Sequence, residues 1–187
     1  MLRNNVEYKR FVWNFDNVIN LCDKNKSYLF LCIGTTSIIG DAFGPVVGTI
    51  LKQTYSNKSN IVVIGDIYNS VNYTNINENI KLIKCKYKNN IIIVLDSALS
   101  CKQNIGKVYV ENRGLKYAES LRKDNNIIGD ISIKAVVGEN TNSNINNFKN
   151  LKSTSLDDIK NLSAIVSNGI IEVMNKREIN GKNIYKK

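Results

Sequence analysis

Apolar and polar positions recur along the chain with two different periods. Val6, Phe11, Trp13, Phe15, Val18, Ile19 and Leu21 fall at roughly helical spacing, with imperfect phase, and predict a helical segment within residues 1–27. Asn25-Lys26-Ser27 ends it. Tyr28-Leu29-Phe30-Leu31-Cys32-Ile33 is then a continuous apolar run closed by Gly34, the pattern of a strand buried on both faces. The loop Thr35 to Gly40 leads through Asp41-Ala42-Phe43-Gly44-Pro45 into a helix whose apolar face is Val46, Val47, Ile50 and Leu51. Pro45 is tolerated in its first turn.

The alternation repeats downstream. Ile61-Val62-Val63-Ile64-Gly65 reads as a second strand, and Asn75 to Cys85 as a modest helix carrying Ile76, Ile80, Leu82 and Ile83. Ile91-Ile92-Ile93-Val94-Leu95 is the most hydrophobic run, which predicts a central strand ending at Asp96-Ser97-Ala98. Gly106 to Glu111 alternates like a half-exposed strand, and Ile131 to Val137 forms another. With no helix between these two, the sheet should have an antiparallel edge. Residues 139–154 are Asn-rich and weakly patterned, an expected irregular insertion. Ser155 is a helix N-cap with Asp157 and Asp158 in the first turn, and Leu156, Ile159, Leu162, Val166, Ile170 and Val173 continue at helical spacing. The C-terminal helix is expected over 155–176 and a frayed basic tail over 177–187. Together these elements predict one α/β domain over 1–187, with its core in 28–138. Its architecture is a three-layer α/β/α sandwich around a mostly parallel twisted sheet.

Composition narrows the function classes. With 187 residues, 43% hydrophobic and 22% charged, the chain can bury an ordinary core. No apolar run approaches the ~18 residues that cross a bilayer, and the N-terminus has no apolar h-region, so a cytoplasmic protein without a membrane partner is expected. Lys+Arg 26 against Asp+Glu 16 gives a net charge of +10. The excess is nearly all Lys, spread along the chain without an Arg cluster or aromatic-basic alternation, which argues against specific nucleic-acid binding. Cys22, Cys32, Cys85 and Cys101 make no CxxC pair and no zinc spacing. The absence of histidine removes Ser-His-Asp and Cys-His hydrolases, HExxH peptidases and His-ligated zinc. Any catalysis must use carboxylates, Lys, Tyr, Cys or a metal held by oxygen.

Two acids stand where α/β sheets bind ligands, beyond the carboxyl ends of strands. Asp96 follows the most buried strand, and Asp41 ends the glycine-bounded loop after the first. If those strands are neighbours, the carboxylates face one crevice. They cannot then both ionise freely, and the pair can act as acid and base. Spacing alone favours a structural alternative: Asp41 as a helix N-cap and Asp96 capping a turn with Ser97. Gly34-Thr35-Thr36-Ser37-Ile38-Ile39-Gly40-Asp41 is neither a Walker A loop nor GxGxxG.

Cys32-Ile33-Gly34-Thr35 followed by Gly40-Asp41-Ala42-Phe43-Gly44-Pro45-Val46-Val47-Gly48-Thr49 resembles the YyaC-type sporulation proteins (DUF1256) of spore-forming Firmicutes. These are relatives of the germination protease that degrades small acid-soluble spore proteins. Ile91 to Ala98 resembles that family's second acidic motif, and Gly106-Lys107-Val108, Gly114-Leu115-Lys116 and Ile128-Gly129-Asp130-Ile131 follow in the family's order. The resemblance spans residues 28 to 138 and implies a phosphorylase/hydrolase-like sandwich, as in hydrogenase maturation proteases. It implies Asp41 and Asp96 as a catalytic pair, with Gly34, Thr35, Gly40, Gly44, Pro45 and Ser97 shaping the substrate loop. Backbone N–H groups around Gly40 and the helix start would serve the oxyanion. The maturation proteases use a His as a nickel contact, and this chain has none, so no metal and no cofactor are expected.

Departures accompany the likeness. Thr36-Ser37 stand where relatives carry an Asp-Arg pair, and Tyr117-Ala118-Glu119-Ser120 replace a Gly-rich segment. The implied function is an aspartate-dependent peptidase of sporulation, acting on a protein or peptide such as a small acid-soluble spore protein. The alternative is a catalytically silent relative that binds a peptide or protein. Either is compatible with a homo-oligomer in the mother cell or forespore.

Overall fold

A computed structural model describes the backbone of residues 4–116 and 127–184, and side chains as far as residue 178. Tyr117 to Ser120, where a departure from the resemblance is expected, and the last residues of the basic tail lie outside the described residues. The expected helix α1 runs Val6–Asn20, and Asn5 caps it by accepting from the N–H groups of Glu7 and Tyr8. Its imperfect phase resolves simply. Tyr8, Phe11, Phe15 and Ile19 turn inward, while Val6, Trp13 and Leu21 stay exposed.

Five strands form the main sheet, in the order β2-β1-β3-β7-β4. They are β1 (Tyr28–Cys32), β2 (Ile61–Ile64), β3 (Ile91–Ser100), β4 (Val108–Glu111) and β7 (Ile131–Glu139). All neighbours pair in parallel except β4 and β7, so the expected antiparallel edge is β4. The most apolar run lies centrally, as its lack of polar positions requires.

Helices α1, α2 (Phe43–Thr54) and α5 (Leu156–Ile184) cover one face around Phe11, Phe15, Phe30 and Phe43. On the other face, α3 (Ile76–Lys86) and a small ribbon of β5 (Leu115–Lys116) with β6 (Ile127–Ile128) cover Leu29, Leu31 and Val94. The edge is protected by side chains. Val108, on the outer side of β4, gives its N–H to Glu7 Oε1 and takes a hydrogen bond from Arg10 on its carbonyl.

Three expectations need correction. Residues 139–154 are not irregular, because helix α4 occupies Asn144–Lys152. It buries no side chain fully, and its apolar positions, Ile145, Phe148 and Leu151, are too few to stand out as a helical period. Asparagine amides build it instead: Ser143 caps the Asn146 N–H, Asn147 accepts from the Thr141 N–H and hydroxyl, and Asn150 donates to the Glu139 carbonyl. The C-terminal helix does not stop at residue 176 but continues to Ile184. Arg177 holds it down, donating to the Tyr28 hydroxyl at 2.6 Å, the Cys22 carbonyl at 2.7 Å and Asn20 Oδ1 at 3.2 Å. Strand β3 does not give way at Asp96-Ser97-Ala98 but runs through them to Ser100, because β7 continues beside it.

Candidate active site at the carboxyl ends of the strands

The continuation of β3 past Leu95 creates the site. Strand β1 ends with Cys32 opposite Leu95, whereas β3 continues, pairing Asp96 with Lys134 and Ser97 with Ala135 on β7. From Asp96 onward, β3 lacks a partner on the β1 side. The chain leaves β1 through α2 to β2 on one flank and returns through α3 to β3 on the other, so this gap is the switch point of the sheet. The loop after β1 enters it.

Two glycines permit that entry. Gly34 has φ +141, in the range side chains rarely adopt, and a Cβ there would lie 2.0 Å from the Asp41 carbonyl oxygen. At Gly44 a Cβ would lie 2.0 Å from the Ile33 carbonyl oxygen, so the start of α2 rests directly on the end of β1. Pro45 occupies the first turn of α2, where its missing N–H costs nothing. Asp41 closes a 3-10 turn, Ile39–Asp41, and Gly40 within it is buried, its Cα side facing the Leu151 carbonyl of α4.

Neither aspartate plays its structural alternative. The N-cap of α2 is Ala42, with no side-chain cap, and Asp96 lies within a paired strand. The Asp41 carboxylate instead accepts the Thr35 N–H at 3.0 Å and the Ser97 hydroxyl at 3.3 Å. Burial raises its pKa, and these two hydrogen bonds oppose the rise. Asp96 is pushed up to about 8, first by burial and then by the neighbouring Asp41 carboxylate, against the Ser97 N–H and Lys134. At neutral pH Asp41 is therefore the better candidate for the charged member, and Asp96 for the one holding a proton.

Both line a cleft of about 290 Å³ with Ile33, Gly34, Asn72, Tyr73 and Ile76. Ribbon residues Leu115 and Lys116 close its far side. Asp96 also borders a second cleft, of about 410 Å³, shared with Ser97, Glu111, Arg113 and Lys134.

Of the expected loop residues, Gly34, Thr35, Gly40, Gly44, Pro45 and Ser97 all surround Asp41. Only Gly34 lines the Asp41–Asp96 cleft, and Ser97 lines the second one. Of the expected oxyanion donors, the Asp41 and Ala42 N–H groups are spent, because they bond to the Ile38 and Ile39 carbonyls. Thr36 and Ser37 lie exposed on the loop and border neither cleft. The pattern missed Asn72, Tyr73, Lys116 and Lys134. Signals existed for Lys134, the one charge among the otherwise buried residues 131–138, and for Lys116, which ends the Gly114-Leu115-Lys116 run.

A nickel centre does not fit. The chain has no histidine, and among the described residues no three His, Cys, Asp or Glu side chains gather to hold a metal. Among the described residues, no helix is long and apolar enough to cross a membrane.

Comparison with known proteins agrees with this architecture. The uncharacterized protein YyaC of Bacillus subtilis (strain 168) is 28% identical over 148 residues, covering 78% of this chain and 68% of that protein. The crystal structure of the [NiFe] hydrogenase maturation protease HycI from Thermococcus kodakarensis KOD1 matches 86% of this chain and 98% of its own, with a TM-score of 0.54. At 15% identity, that likeness is one of fold. The family described as "Protein of unknown function (DUF1256)" matches residues 3–169, so the chain belongs to the DUF1256 family.

Proposed function

We propose that this protein is an aspartate-dependent peptidase of sporulation, resembling the germination protease and acting on spore proteins in the cytoplasm of the mother cell or forespore. The observation that carries the reading is the meeting of Asp41 and Asp96 in one cleft, with the proton affinity of both raised. Asp41, charged and steered by Thr35 and Ser97, takes a proton from water as that water attacks the peptide carbonyl. Asp96 gives its proton to the carbonyl oxygen, so the tetrahedral intermediate is neutral and needs no separate oxyanion donor. On collapse, Asp41 passes its proton to the leaving nitrogen and Asp96 recovers one from the intermediate's hydroxyl. Water adds across the bond, and both carboxyls return to their starting states.

Thr36-Ser37, exposed on the loop where the resemblance leads to an Asp-Arg pair, favour a second reading, a binding protein without turnover. Mass spectrometry of small acid-soluble spore proteins incubated with the parent and with the Asp41→Asn/Asp96→Asn variant separates the two. Defined fragments from the parent alone are expected. Intact substrate that is nonetheless retained by both proteins would replace the peptidase reading with the binding one.

A further inference from the structure

Asp96 stands between two clefts of opposite character. On the Asp41 side the walls are largely apolar, with Ile33, Ile76 and Leu115. On the other side the chain gathers charge. Lys134 lies opposite Asp96 in the β3–β7 register, and Glu111 comes from the edge strand β4. Glu111 Oε2 accepts from Lys134 Nζ at 3.1 Å and from Arg113 Nε at 2.9 Å. Lys116 adds a third cation at the ribbon that borders both clefts. Even with Asp96 counted as charged, two carboxylates face three cations, leaving an uncompensated positive field in a cleft of about 410 Å³.

The Arg113 contact is easily exchanged. Its side chain is 74% exposed, and an ion pair that open to water holds little energy. Glu111, kept charged by its partners, repels a dianion such as a phosphate, so a singly charged carboxylate fits the cleft better.

We propose that this second cleft is a carboxylate subsite: Arg113, Lys116 and Lys134 receive an acidic group of the substrate beside Asp96, while an apolar neighbour enters the Ile33–Ile76 side. The inference rests on the peptide-substrate reading of the same site. An acidic side chain or a chain-terminal carboxylate would satisfy it.

The test uses pools of acetylated hexapeptides with a fixed Leu followed by Glu, Gln or Lys, all C-terminally amidated, and a Gln pool with a free C-terminal acid. Retention is measured on the immobilised full-length Asp41→Asn/Asp96→Asn variant, with and without Arg113→Gln and Lys116→Gln. Both added changes lie at exposed positions, where a substitution costs little stability. Retention of the Glu pool about tenfold above the amidated Gln pool is expected, lost with Arg113→Gln/Lys116→Gln. Retention of the free-acid pool alone, lost in the same variant, would support the subsite with the terminal carboxylate as occupant. Equal retention of Glu and Gln, retention of no pool, or selectivity that survives Arg113→Gln/Lys116→Gln would overturn the proposal. Cleavage by the parent is scored separately in the same pools. Cleavage without Glu selectivity sinks the subsite and spares the peptidase, and selective retention without cleavage does the reverse.

Discussion

Burial and the Asp41 carboxylate raise Asp96 from 3.8 to about 8, so across that pH window the native state keeps a proton that the unfolded chain releases. Stability from this group is therefore fully present at low pH, falls as pH rises through the window and levels off above it. Asp96→Asn removes the titration while keeping the shape. Urea unfolding should show the variant gaining on the parent from pH 4 to pH 8, by on the order of a few kcal/mol. A constant difference between the two across that range would contradict the raised proton affinity. The positions of both aspartates were legible, because each follows an apolar run that reads as a strand. Their roles were not. Whether Asp41 caps a helix depends on which backbone N–H it meets, and it meets that of Thr35, six residues earlier, rather than those of α2. Lys134 was hidden for a different reason, since an isolated lysine in a strand says nothing about which neighbour it faces.

Among the elements, α2 does the most to set the site, since its first turn carries the Asp41 loop against β1. Gly44 is the contact point, and a methyl group there would sit 2.0 Å from the Ile33 carbonyl oxygen. Gly44→Ala must push α2 outward. A loss of about 1–3 kcal/mol in urea unfolding is expected, together with loss of site function. A variant as stable and as active as the parent would show that α2 yields freely and that the close approach is incidental. Elements with an apolar period were readable: α1, α2, α3 and the five strands of the main sheet appear where the spacing places them, with β3 running further, whereas the two-residue strands β5 and β6 were not foreseen. Helix α4 was not, because Asn147 and Asn150 fold it through amide hydrogen bonds that leave no periodic trace. The continuation of α5 past Lys176 was equally silent in the pattern. It depends on Arg177 reaching Tyr28, Cys22 and Asn20, all more than 140 residues away in the chain.

For the molecule as a whole, the strand order matters more than any single element. Only because β1 lies between β2 and β3 does the loop after β1 meet the middle of β3, bringing together two acids 55 positions apart. Sequence could state that neighbourhood as a condition but not establish it, since strand order follows from long-range packing. The same order opens β3 on one side and leaves β7 and β4 to form the charged cleft on the other. The central claim is that this topology couples the two carboxyls. Carbon-13 NMR titration of the aspartate side chains, in the parent and in Asp41→Asn, tests it most directly and needs no substrate. One carboxyl, absent from Asp96→Asn, should titrate near pH 8 in the parent and move toward lower pH when Asp41 is neutralised. Titration of every aspartate near pH 4 in both proteins would contradict it.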